Sequence, residues 1–135
     1  MTSKDIHQRF FSFRNGIVAK AFHDAGHPYK TVFGLQVPQL GAIARETGYD
    51  SALGRELLKE TDCRESRLLA FYLFDPALLT EAEAIEMAEN VQTREEADIL
   101  AWRLLKKLPY ASVLSEKLCG YIQEALLRNL KDNAL

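Results

Sequence analysis

The chain has 135 residues, 47% of them hydrophobic and 27% charged, with a formal net charge of −2. This is the composition of a soluble globule with one real core, and no apolar run approaches the roughly 20 residues that span a bilayer. Residues 1–48 carry six basic against three acidic side chains, residues 49–101 five against thirteen, and residues 102–135 six against three. The pattern excludes a uniformly basic protein and leaves room for a basic strip on one face.

Met1-Thr-Ser-Lys-Asp leads directly into a charged amphipathic segment without the apolar core of a signal peptide, so the expected compartment is cytoplasmic. Ile6, Phe10, Phe13 and Ile17 fall on one helical stripe that Phe11, Val18 and Phe22 thicken. Gly26 and Pro28 end that helix. After a turn-rich stretch, Pro38 stands where a helix starts, with Leu40, Ile43 and Ala44 as its inner face and Gly48 as its stop. Asp50 or Ser51 caps a short helix through Leu57 and Leu58, and Asp62 caps the next, which stops before Pro76. The boxes Thr80-Glu-Ala-Glu83 and Thr93-Arg-Glu-Glu96 open two more helices. Beyond Pro109 a last helix carries Leu114, Leu118, Tyr121, Ile122, Ala125 and Leu126. Cys63 and Cys119 belong to no CxxC or Cys/His cluster and are expected to pack as small apolar groups.

Arg67-Leu-Leu-Ala-Phe-Tyr-Leu-Phe74 is echoed further along the chain by Asp98-Ile-Leu-Ala-Trp-Arg-Leu-Leu105. The offset matches the length of a helical repeat. It predicts an all-α fold, a short right-handed α-solenoid of HEAT-like hairpins with about seven helices. With no internal linker, residues 1–135 read as a single helical-repeat domain. The echo sets Arg67 and Asp98 at equivalent positions, so an ion pair between neighbouring repeats is one expectation.

Phe33-Gly-Leu-Gln-Val-Pro-Gln-Leu-Gly-Ala-Ile-Ala-Arg-Glu46 and Arg64-Glu-Ser-Arg-Leu-Leu-Ala70, followed by Thr93 to Leu100, resemble the DNA alkylation repair family of HEAT-like repeat glycosylases. The three segments keep the family's order across residues 30–105. The resemblance implies a helical stack holding duplex DNA and a 3-methyladenine/7-methylguanine glycosylase-like hydrolase that cleaves the glycosidic bond of alkylated purines. It makes Asp98 the counterpart of the catalytic carboxylate, which stabilises the developing positive sugar and positions water. Arg94 stands where the family has a tryptophan, four residues before its aspartate. The chain is also shorter than the family, whose further repeats supply another arginine and another tryptophan.

The DNA-facing candidates are Tyr29, Lys30, Arg45, Arg67, Arg94, Trp102, Arg103, Lys106 and Lys107. Each has a plainer reading. Asp98 sits near a helix N-terminus, four residues from Arg94, which offers it an ion pair. Trp102 either supplies the cleft aromatic or packs in the core, as its echo Phe71 is expected to. The cations are otherwise a solvated surface. His23 and His27 have i,i+4 spacing, but Gly26 falls between them and no third ligand is evident, so neither a metal nor another cofactor is expected. No GxSxG, P-loop, GxGxxG or HExxH motif occurs. The alternative function is a non-catalytic protein–protein interaction module, with a homo-oligomer or protein partner at the open end of the stack.

Overall fold

The computed structural model describes residues 1–133. Among the described residues are nine α-helices, one 3-10 turn and no strand, although an isolated bridge pairs Thr31 with Cys63. The chain divides into two compact units, Met1–Leu73 and Phe74–Leu135.

The first unit holds α1 (Ser3–Ser12), α2 (Gly16–Asp24), α3 (Val37–Thr47), α4 (Ser51–Leu58) and α5 (Arg64–Leu73). Thr2 and Asp5 form a reciprocal capping box that opens α1, satisfying two otherwise orphaned N–H groups. The first predicted helix is in fact two. Ile6 and Phe10 are buried, but Phe13 is 40% exposed and Ile17 85%. The break lies at Asn15, whose side chain accepts the N–H groups of Ile17 and Val18 and so caps a new helix. Its own N–H donates to the Phe33 carbonyl at 2.7 Å. The apolar stripe therefore stops where the first helix ends. The α2 helix, rich in Ile, Val, Ala and Phe, has no buried residue.

Pro38 lies in the first turn of α3, Gly48 (φ 75°) ends it, and Leu40, Ile43 and Ala44 are buried, as the spacing predicts. Asp50 caps α4 by accepting the Leu53 N–H. At the start of α5, Thr31 takes the place expected of an Asp62 side-chain cap: its carbonyl accepts the Arg64 N–H at 3.1 Å, while its N–H donates to the Asp62 carbonyl.

All ten residues of α5, which packs against α3 and α4, are buried, including Arg64, Glu65, Ser66 and Arg67. Charges taken out of water need partners. The Glu65 carboxylate accepts the N–H groups of Phe33 (2.8 Å) and Gly34 (3.1 Å) and an Arg64 guanidinium N–H at 2.6 Å. Arg64 also donates to the Leu35 carbonyl and lies over the Phe22 ring. The Phe33-Gly34-Leu35 loop is thus held by an ion pair whose own charges it helps to satisfy. Gly34 has φ +86°, and a Cβ there would stand 2.3 Å from the Asn15 carbonyl oxygen. Only glycine combines that backbone conformation with such a close approach.

The second unit holds α6 (Glu81–Glu89), α7 (Arg94–Arg103), the 3-10 turn Leu105–Lys107, α8 (Ala111–Lys117) and α9 (Gly120–Asn133). Thr80 and Thr93 cap α6 and α7 by accepting the N–H groups of Glu83 and Glu96. Glu96 is fully buried and accepts the Gln92 N–H. It occupies the position in the second echo that Glu65 holds in the first. In both repeats a carboxylate in the first helical turn is buried against preceding backbone amides. The last predicted helix also divides in two: Leu118 turns extended, and Gly120, at φ 74°, starts α9. Its apolar residues keep their expected place, with Leu114, Leu118, Ile122, Ala125 and Leu126 buried. The α9 helix packs on α7 and α8. Tyr110 donates its hydroxyl to the Leu79 carbonyl at 2.7 Å, tying the start of α8 to the loop before α6.

Candidate functional site

Helix α7 turns Arg94, Asp98 and Trp102 outward at i, i+4 and i+8, while Ala97, Ile99, Leu100 and Ala101 face the core. Asp98 is half exposed. The Tyr121 hydroxyl donates to its two carboxylate oxygens, at 2.9 and 3.2 Å, and the Arg128 guanidinium donates to Oδ1 at 3.2 Å. Arg128 also donates to the Tyr121 hydroxyl at 3.1 Å. That bond, together with the negative charge of Asp98, pushes the Arg128 pKa up.

Tyr121 is the hub. Its ring lies 4.7 Å from the Arg94 guanidinium carbon and 5.3 Å from that of Arg128. The partner expected for Asp98 was Arg94 on its own helix, or Arg67 across the echo. Its charged partner is instead Arg128 of α9, and Arg94 stacks on Tyr121. The reason is packing: α9 lies along α7 and presents residues 121 and 128, two helical turns apart, to the carboxylate.

Beside this network is a groove of about 490 Å³, lined by Thr93, Arg94, Ala97, Lys117, Cys119 and Tyr121 among others. Lys117 is paired with Glu81. Cys119 is exposed, against the expectation that both cysteines pack inside; Cys63 is buried, and burial raises its thiol pKa.

At the other end of α7, Trp102 is 41% exposed where its echo Phe71 is 1% exposed. The core position expected for it belongs to neighbouring Ala101 and Leu104. The Arg103 guanidinium sits 5.2 Å from the indole centroid. Arg103 and Lys106 lie close enough to Lys107 for their charge to add to the main effect, burial, in lowering its pKa. Arg103 thus links the exposed indole to the two lysines that follow it.

In the first unit, Lys30 and Arg45 are exposed, Lys30 lying 4.0 Å from Asp62. Tyr29 and Arg67, read from the sequence as DNA-facing, are 2% and 4% exposed. Tyr29 stacks on His27 within the unit, and Arg67 donates to the Leu58 carbonyl at 2.8 Å. Both serve the interior, because the loop and helix carrying them are folded inward. A Ser66–His7–Glu60 cluster also occurs, but Ser66 and Glu60 both approach the same nitrogen, His7 Nε2. A nucleophile relay needs the two on opposite ring nitrogens. Among the described residues no group of three or more His, Cys, Asp and Glu is placed to hold a metal ion, and no helix is long and apolar enough to cross a membrane.

Sequence reasoning missed Arg128 and gave Tyr121 no role beyond its place in the apolar pattern of the last helix. The available signal was the spacing of the two, which places an aromatic hydroxyl and a guanidinium on one face of a helix.

No model of a known protein family matches the chain, and no curated protein does. A solved structure described as "A new family of proteins related to the HEAT-like repeat DNA glycosylases with affinity for branched DNA structures" superposes on it with a TM-score of 0.82 and 21% identity. The match covers 100% of this chain and 61% of that one, so the chain spans about three fifths of the length of the protein it resembles. The all-helical architecture and this superposition agree: the chain has the α-solenoid fold of a HEAT-like repeat protein.

Proposed function

We propose that the chain is a DNA-binding helical-repeat module that contacts the phosphate backbone through α7, the 3-10 turn after it and α9. The observation that carries this is that Arg94, Arg103, Lys106, Lys107 and Arg128, none of them buried, occupy the same unit as an exposed tryptophan, in two groups at opposite ends of α7. Clustered exposed cations on an otherwise acidic molecule are the kind of feature that meets a polyanion. The fold shared with a protein described as having affinity for branched DNA structures supports the same reading. Five phosphate contacts imply a log–log dependence of affinity on salt with a slope of roughly −4.5. Fluorescence anisotropy with labelled duplex and branched oligonucleotides at increasing salt tests this. Binding that is absent, or insensitive to salt, overturns it.

Asp98 in this reading organises the surface and carries out no chemistry. Stabilising a cationic sugar requires a carboxylate with uncompensated negative charge. Here a guanidinium 3.2 Å away and a tyrosine hydroxyl already engage it. The wild-type protein is expected to release neither 7-methylguanine nor 3-methyladenine from methylated duplex DNA. Release that disappears in Asp98→Asn would instead establish a glycosylase.

A further inference from the structure

Trp102 is the chain's one tryptophan. The repeat does not explain its exposure, since the equivalent Phe71 is buried. An indole left in water forgoes the stabilisation that burial brings. Its surroundings specify what it suits. Arg103 lies over the ring, and Lys106 and Lys107 follow in the 3-10 turn. Lysine is depleted from protein interfaces, and Lys106 and Lys107 follow this indole within five residues. A flat aromatic surface beside closely spaced cations matches a nucleotide, the base stacking on the ring and the flanking phosphates meeting the charges. Bases inside a duplex are stacked on one another and offer no free face. A base outside a duplex does.

We infer that Trp102 is a stacking platform for an unpaired DNA base, held by phosphate contacts to Arg103, Lys106 and Lys107. The protein then prefers DNA with unpaired bases, such as an overhang or an open junction, over blunt duplex. This rests on the DNA-binding reading above and adds to it the class of DNA and the residue that selects it.

Because the tryptophan is single, its emission reports the contact directly. The full chain is titrated with a fluorescein-labelled duplex bearing a short thymine overhang, with an oligothymidine, and with a blunt duplex, following anisotropy and tryptophan emission. The overhang and oligothymidine are expected to quench the emission. Trp102→Leu is expected to weaken binding to both by about tenfold and to blunt duplex by less than about twofold, while Trp102→Phe keeps most of the affinity. Circular dichroism confirms that the variants fold. DNA binding with unchanged emission, and with no preference lost in Trp102→Leu, overturns the platform and leaves the DNA-binding reading standing. Failure of all three probes to bind overturns that reading and the platform with it.

Discussion

Replacing Glu65 by alanine is expected to destabilise the first unit by about 3–5 kcal/mol, the cost of leaving a buried charge without its partner. The substitution removes the acceptor for Arg64, which is 3% exposed, and for the N–H groups of Phe33 and Gly34. Each orphaned amide adds about 1–3 kcal/mol of unrecovered desolvation, partly offset by local relaxation that admits water. Against the roughly 5–15 kcal/mol that holds a typical domain together, this is enough to populate the unfolded state. Glu65→Gln keeps a carbonyl oxygen for the loop amides but not the charge for Arg64, and is expected to fall between alanine and wild type. Urea unfolding followed by far-UV circular dichroism measures all three. A loss below about 1 kcal/mol in Glu65→Ala would show that the loop is held by other contacts. Sequence pattern alone put Glu65 in an apolar helix as one polar residue among several. Its importance depends on the Phe33-Gly34 loop, which lies two helices earlier in the chain.

The double reversal Lys106→Glu/Lys107→Glu is expected to weaken DNA binding by about 10²–10³-fold at about 0.1 M salt. It removes two phosphate contacts, so the log–log salt slope should become shallower by about 2 units, and it adds repulsion that deepens the loss at low salt. Lys107 is exposed and Lys106 only partly covered. Stability should therefore change by no more than about 0.5 kcal/mol. Anisotropy across a range of about 50 to 200 mM salt, with thermal melts as control, separates the effect on binding from any effect on folding. Wild-type affinity and slope in the double variant would place the DNA surface elsewhere.

The repeat has a constant level and a divergent one. Glu65 and Glu96 hold the constant level: equivalent in the echo, both fully buried, each accepting backbone amides ahead of its helix. Arg67 and Asp98, further into each helix, hold the divergent level. Arg67 is buried and donates to a carbonyl; Asp98 is open to solvent and bonded to α9. The same is true of Phe71 and Trp102. A repeat constrains which positions carry the helix against its neighbours, and leaves the remaining positions to whatever packs next to that particular copy.

Local decisions were legible in the order of residues. Thr80 and Thr93 cap their helices, Asp50 caps α4, Gly48 stops α3, and Leu40, Ile43, Ala44, Ala84, Met87 and Ala88 face inward. These follow from hydrogen bonds within a few residues and from the period of the helix, both written in consecutive positions. The echo extended them to a helical repeat. Long-range packing settled the rest. Asn15 ends a continuing apolar stripe because Phe33 accepts its N–H and Gly34 crowds its carbonyl, contacts the local pattern does not contain. Asp98 found Arg128 and not Arg94, because α9 brings a guanidinium and a hydroxyl to it in better geometry than its own helix offers. Tyr29 and Arg67 went inward, and Trp102 outward, for the same reason. Whether a side chain is a surface or a support depends on which distant backbone lies over it, and periodicity along one helix carries no information about that.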